Sequence, residues 1–117
     1  MSENRRYPRA PVNVEVTVED IQGKTVTGIG VLLLYASNIS LGGVFIETNI
    51  PFECGSKLKI EFTLPETPRP LIARGRVIRI SGGKSSNLNG VGIEFQDLSV
   101  DDKKVIDSYI INQSVEK

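Results

Sequence analysis

Apolar and polar side chains alternate along two segments of the chain. In residues 12–18, valine occupies every second position and a polar residue occupies each position between. Residues 57–64 repeat the pattern, with Leu58, Ile60 and Phe62 separated by charged residues. Because successive side chains of a strand point to opposite faces, a period of two predicts a half-buried β-strand in each segment.

Four further segments predict strands by their composition. They are rich in β-branched or aromatic residues and are bounded by Gly, Pro, Asn or Ser. These segments are residues 26–37, 44–48, 71–80 and 90–95. The apolar centre of the first, residues 31–35, also suits a short helix. Gly28 and Gly30 favour a strand, because glycine weakens a helix by about 1 kcal/mol relative to alanine.

The last part of the chain predicts one helix. Ser99 is a suitable N-cap for a helix beginning at Val100, and the two aspartates that follow complement the helix dipole. An apolar stripe follows at helical spacing, formed by Val105, Ile106, Tyr109 and Ile110. Six strands and a terminal helix indicate an antiparallel barrel or sandwich, with the helix lying across its open end.

Composition excludes several classes of function. The 117 residues with 39% apolar content suit one domain, and 14 basic residues balance 14 acidic ones, so no net charge favours nucleic acid or an anionic membrane. Histidine is absent and Cys54 is the only cysteine, which predicts no enzyme activity and no metal site. The lack of a long apolar run predicts no membrane insertion, and the unpaired cysteine fits a cytoplasmic location.

The N-terminal segment is locally basic. Arg5, Arg6 and Arg9 face a single acidic residue there, and Pro8 and Pro11 disfavour a helix. A guanidinium can bind phosphate, stack on a base and donate to guanine O6 and N7, so these arginines are candidate anion ligands. By itself, the spacing of Arg5 and Arg9 also fits solvated terminal side chains.

A second candidate element lies between the second and third predicted strands. Asn38 and Ser40 carry short polar side chains, and Gly42 and Gly43 permit positive φ or the approach of a ligand to main-chain N–H groups. Taken alone, residues 38–43 are more typical of an ordinary turn than of a ligand site.

Together the two elements resemble the PilZ family. Arg5 and Arg9 match its Arg-x-x-x-Arg segment, and Asn38, Ser40 and Gly43 match its Asp/Asn-x-Ser-x-x-Gly motif, with Asn in place of the more frequent Asp. Residues 90–95 are similar to the late Gly-x-Gly-x-x-Phe strand of the family. The resemblance covers nearly the whole chain.

The resemblance implies an all-β fold, a six-stranded antiparallel β-barrel with one C-terminal α-helix. It also implies binding of cyclic di-GMP, with no further cofactor, and output through an unidentified partner protein. The implied ligand-binding residues are Arg5, Arg6, Arg9, Asn38, Ser40, Gly42 and Gly43. The chain then divides into an arginine-bearing tether (1–11), the barrel with its helix (12–113) and a tail (114–117).

Two other functions remain open from the sequence. A PilZ-like module can contact other proteins without nucleotide, and a small barrel can bind single-stranded nucleic acid, although zero net charge and no Trp disfavour the latter. Arg74, Arg76 and Arg79 on the fifth predicted strand could extend a basic surface, contact a partner or, as is most common, simply solvate the strand. The first two share a face.

Overall fold

Six strands and one helix make up the described structure. The computed structural model describes residues 9–21, 31–67, 69–82 and 89–115. The elements are β1 (Ala10–Asp20), β2 (Val31–Ile39), β3 (Gly43–Glu47), β4 (Lys57–Phe62), β5 (Leu71–Ser81), β6 (Gly90–Asp97) and α1 (Val100–Val115).

The strands close into a barrel in the order β1-β2-β3-β6-β5-β4, and every neighbouring pair is antiparallel. This confirms the predicted six-stranded antiparallel β-barrel with a C-terminal helix. In this ring β2 and β5 lie on opposite sides, since two strands separate them in either direction.

The apolar residues of the alternating segments point into the barrel, and the polar residues between them point outward. Leu58 and Ile60 of β4 are fully buried, and the lysines beside them are exposed. In β1, Val16 and Val18 are buried, whereas Val14, which follows the shift of the β1–β2 register after Pro11, is only half-buried. The core is therefore built from one face of each strand.

The second strand differs from its predicted bounds. Residues 26–30 lie outside the described structure, and at the other end β2 continues to Ile39. Asn38 therefore pairs within the sheet instead of starting the turn. Val31 and Leu33 point outward and are more than half exposed, so the apolar centre of this strand is not buried on both faces.

The terminal helix begins at Val100, as predicted, and packs on the barrel. Ser99 caps it, because its Oγ accepts a hydrogen bond of 3.1 Å from the Asp102 N–H. Ile106 and Ile110 enter the core, which confirms the apolar stripe. Asp102 Oδ1 also lies 2.8 Å from Nη1 of Arg69. Within the described residues, no helix has the length and apolarity needed to cross a membrane.

Candidate functional site

The register of β1 on β2 brings together part of the two elements singled out in the sequence. Ala10 pairs with Ile39, and Pro11 pairs with Asn38. Arg9 immediately precedes Ala10 and Ser40 immediately follows Ile39, so both lie at the same end of this strand pair. The exposed Arg9 is thereby placed beside residues 38–43.

The turn between β2 and β3 is held by hydrogen bonds. Ser40 N donates to Gly43 O at 2.9 Å, and Gly42 N donates to Ser40 Oγ at 3.1 Å. Gly42 O in turn accepts from Phe95 N of β6 at 2.9 Å. The Ser40 hydroxyl is thus engaged as an acceptor but keeps its own proton for donation. Strand pairing on both sides gives this polar turn a rigid support.

Gly43 of the turn is required for close packing. Among the described glycines, only Gly55 and Gly82 have positive φ, so the expected use of positive φ at Gly42 or Gly43 is wrong. A Cβ on Gly43 would collide with the carbonyl oxygen of Ile93. Gly43 is therefore needed for the approach of β3 to β6, whatever its role toward a ligand.

Asn38 lies at an irregularity in β2. The β2–β3 register shifts between Ala36 and Asn38, and Asn38 is half-buried opposite Phe45. Beside it, the Oγ of Ser37 is buried and has no hydrogen-bond partner among the described residues. Ser37 thus adds a second polar group next to Asn38. The burial of its hydroxyl could be seen only in the tertiary structure.

A depression adjoins the other side of the turn. It has a volume of about 580 Å³ and is lined by Leu41, Gly42, Glu94, Phe95, Gln96, Asp97, Leu98 and Lys103. Polar side chains of β6 and α1 thus lie within reach of the turn. Glu94 lies within residues 90–95, the strand that resembles the family, whereas Gln96, Asp97 and Lys103 belong to no motif, so sequence spacing did not single these three out.

The helix contacts the base of the N-terminal segment. Tyr109 Oη donates a hydrogen bond of 2.8 Å to the carbonyl oxygen of Pro11, the residue paired with Asn38. Burial raises the pKa of Tyr109 above its usual value of 10.0, so the phenol stays protonated and remains a donor. The strands β1 and β2 and the helix α1 therefore meet at Pro11.

The remaining candidate residues are placed elsewhere or not described. Arg5 and Arg6 lie outside the described residues. Arg74 and Arg76 are exposed on one outer face of β5, as predicted, and Arg79 is also exposed on this strand. β5 lies opposite β2, so these arginines do not reach Asn38, although Arg76 lies 3.7 Å from Glu94, which lines the depression beside the turn.

Comparison with known proteins identifies the family. Residues 3–112 match the family model of the PilZ domain. The chain belongs to the PilZ domain family. This match extends over the strands, the turn and most of the helix of this PilZ protein. No match was found among curated proteins.

Solved structures share its fold. The Bacillus subtilis inhibitor of motility (MotI/DgrA) has a TM-score of 0.80 and 21% identity, over 99% of this chain and 54% of the other. The PilZ domain of YcgR from Escherichia coli, solved with c-di-GMP, has a TM-score of 0.73 and 18% identity, over 97% and 94%. The K. pneumonia MrkH–c-di-GMP complex gives 0.74 and 18%, over 99% and 54%. This chain thus spans about half the length of MotI/DgrA and MrkH.

Proposed function

We propose that this PilZ protein is a cyclic di-GMP receptor that acts through a partner protein. The ligand-binding residues of the proposal are Arg5, Arg6, Arg9, Asn38, Ser40, Gly42 and Gly43. The observation that supports it best is the register of β1 on β2, which places Arg9 beside the turn that carries Asn38 and Ser40. A polar turn next to Arg9, the cation that precedes β1, suits a ligand with both phosphates and hydrogen-bonding bases.

The chemistry of the two sides is complementary to this ligand. Cyclic di-GMP carries two phosphodiesters and two guanines. Arg9 offers a planar fork of donors that can bind a phosphate, stack on a guanine or donate to its O6 and N7. On the opposite side, the Asn38 amide can accept from guanine N–H groups, and Ser40 can still donate its hydroxyl proton. No covalent chemistry is required.

The fold relatives support the same ligand. A PilZ domain of YcgR and the protein MrkH have both been solved with c-di-GMP bound. At 18% identity, these two structures support the fold of this chain. The proposed ligand rests on membership of the PilZ family and on the residues at the turn.

The proposed signal is a change at the N-terminal segment. In this scheme the ligand holds residues 5–9 against the barrel, between the arginines and the turn. The contact of Tyr109 with the carbonyl of Pro11 ties the start of β1 to α1, so the base of the segment is already fixed before ligand arrives. The surface completed by ligand is then recognised by a partner protein.

Isothermal titration calorimetry with cyclic di-GMP tests the proposal. We expect saturable binding that Arg9→Ala and Arg5→Ala each weaken by at least about tenfold, since a hydrogen bond to a charged group contributes about 1.5–3 kcal/mol. Arg79→Ala is the matched control, because it removes an exposed arginine on the opposite side of the barrel and should leave the affinity unchanged. GTP serves as the control nucleotide.

The opposite result has a clear meaning. A folded sample that releases no heat with cyclic di-GMP and gains no thermal stability from it would contradict the receptor function. The PilZ protein would then be better described as an interaction module that works without nucleotide.

A further inference from the structure

Four cations form a compact cluster on the outside of the barrel, across β4 and β5. Lys57 lies directly opposite Arg76, and Lys59 lies directly opposite Arg74. All four side chains are exposed. We call these residues the basic face. The two lysines and the two arginines lie far apart in the sequence, on either side of a proline-containing connection. Only the register of β4 on β5 shows that they are neighbours.

Stability does not explain the pairing of like charges across β4 and β5, although carboxylates of β1 and β6 flank the cluster on both sides. Like charges directly opposite each other on adjacent strands are destabilising. Arg76 has one partner, Glu94, at the long distance of 3.7 Å. In the described parts of the chain, Lys57, Lys59 and Arg74 form no ion pair. The basic face therefore presents cationic donors that remain available to an external anion.

Apolar side chains stand at both ends of the basic face on β5. Ile72 precedes Arg74 by two residues and is 50% exposed, and Ile78 follows Arg76 by two residues and is 53% exposed. The outer row of the strand thus reads apolar, basic, basic, apolar. A depression of about 300 Å³ beside it is lined by Lys59, Ile72, Ala73, Arg74, Asp97 and Ser99. This surface suits a ligand with both carboxylates and apolar groups.

The surroundings limit the size of the anion. Glu19 lies opposite Lys59 on one side, and Asp97 lies opposite Arg74 on the other. The cationic area is therefore about two strands wide, roughly 5 Å between strands and 7 Å along them. A long polyanion or an anionic bilayer would extend over the flanking carboxylates and be repelled by them. Two carboxylates of a protein segment fit within this area.

We infer that the basic face docks an acidic amphipathic helix of the partner protein. This inference rests on the partner half of the proposed function. Because β5 is paired with both β4 and β6, a partner strand cannot add to its edge, and the partner must lie on the face. Two Glu four residues apart on a helix are separated by a rise of about 6 Å, close to the roughly 7 Å between Arg74 and Arg76, so each Glu can meet one arginine. A Leu one turn beyond each Glu then lies toward Ile72 or Ile78.

The docking surface and the ligand site use different residues. The basic face lies on β4 and β5, whereas Asn38 lies on β2, on the opposite side of the ring, and Glu94 of β6 stands between the two regions, because it pairs with both Gly43 and Arg76. A helix that lies along the outer row of β5 leaves Asn38 and Ser40 uncovered, so cyclic di-GMP and the partner helix can occupy the protein together. Loss of one should leave the other intact, which distinguishes failure of this inference from failure of the receptor function.

A fluorescein-labelled synthetic helix provides the test. The probe is an alanine-based helix of about five turns carrying Leu, Glu, Glu and Leu on successive turns, and a second probe carries Gln in place of Glu. Fluorescence anisotropy with the full chain should show saturable binding of the Glu probe, weakened by salt. Replacing Arg74→Glu and Arg76→Glu together should weaken it by at least about tenfold.

Matched variants guard against general charge effects and misfolding. Lys104→Glu makes the same change of net charge as Arg74→Glu alone, but on an exposed position of α1. Arg74→Glu alone should weaken binding of the Glu probe, whereas Lys104→Glu should leave the affinity within about twofold. Lys57→Gln with Lys59→Gln removes charge without introducing repulsion and should also weaken binding. Calorimetry with cyclic di-GMP should be unchanged in the Lys104→Glu variant and in the Lys57→Gln, Lys59→Gln variant, which confirms that the turn site is folded.

Three results would overturn the inference. The first is no saturable binding below about 1 mM probe. The second is equal affinity for the Glu and Gln probes, or an equal loss in the α1 control variant. The third is that a single-stranded oligonucleotide or phosphatidylserine vesicles bind through the same four cations more tightly than the Glu probe does. That result would reassign the basic face to a nucleic acid or a membrane surface.

Discussion

The turn site, Arg9 with residues 38–43, and the basic face on β4 and β5 are built in different ways. At the turn, main-chain groups are bound by main-chain hydrogen bonds, and Gly42 O reaches across to Phe95 N of β6. On the basic face, exposed side chains of equal charge stand opposite each other. The first region is therefore rigid by backbone geometry, whereas the second depends on electrostatics that salt and substitution can change. Substitutions should affect folding most at the turn and least at the basic face.

Gly43→Ala tests the rigidity of the turn and should have the largest effect on stability. The new Cβ would collide with the carbonyl oxygen of Ile93, so β3 and β6 must separate. We expect a loss of about 2–4 kcal/mol in the free energy of unfolding, measured by urea denaturation.

Gly92→Ala is the control for this prediction. Its Cβ would find its nearest atoms at 3.5 and 3.6 Å, all in the Arg79 side chain. The change should therefore stay within about 1 kcal/mol. Equal losses in the two variants would show that the turn has no special constraint.

Tyr109→Phe tests the link between the helix and β1, with an intermediate effect. It removes the 2.8 Å hydrogen bond and leaves the Pro11 carbonyl without this donor. We expect a loss of about 1 kcal/mol near neutral pH, again by urea denaturation.

The pH dependence checks the cause of this loss. Burial raises the pKa of Tyr109 above 10.0 in the folded protein, so its contribution is complete below that pH and is lost as the pH rises through the folded value. The difference between wild type and Tyr109→Phe should therefore shrink above about pH 10. A difference that is constant across this range would contradict the hydrogen-bond explanation.

Lys57→Glu tests the basic face and should have the smallest effect, with the opposite sign. Lys57 lies opposite Arg76, so a carboxylate there replaces repulsion with attraction. We expect the free energy of unfolding to rise by about 0.2–1 kcal/mol while the affinity for the acidic helix falls. Thermal denaturation at low and high salt measures the first effect, which should disappear at high salt.

Lys57→Gln is the control, because it removes the repulsion and adds no attraction. The free energy of unfolding of this variant should lie between the values for wild type and Lys57→Glu. If both substitutions lower stability, the four cations contribute to folding, and the contrast with the turn site is lost.

Local patterns in the sequence were reliable where the structure depends on neighbouring residues. The alternation in β4 and the cap at Ser99 required only a few consecutive residues, and both are confirmed. The bounds of β2 were less accurate, since Asn38 has the composition of a turn but pairs with Pro11 and Phe45. Strand pairing overrode local preference there.

Contacts between residues that are distant in the chain could not be predicted from the sequence. Asp102 was expected only to complement the helix dipole, yet it also pairs with Arg69, which lies in the connection before β5. Gly43 was expected to serve the turn or the ligand, yet its main constraint is the backbone of β6. Neither contact has a pattern within a short window.

The sequence by itself determined the strand and helix types, the family resemblance and the two motifs, because periodicity, capping and short signatures are local properties. Only the tertiary structure decided that Arg9 lies beside the turn and that Lys57 and Lys59 lie opposite Arg76 and Arg74. Register depends on the burial of whole strand faces and on bulges, so it is set by all the strands together. Both functional proposals therefore depend on how the strands are paired.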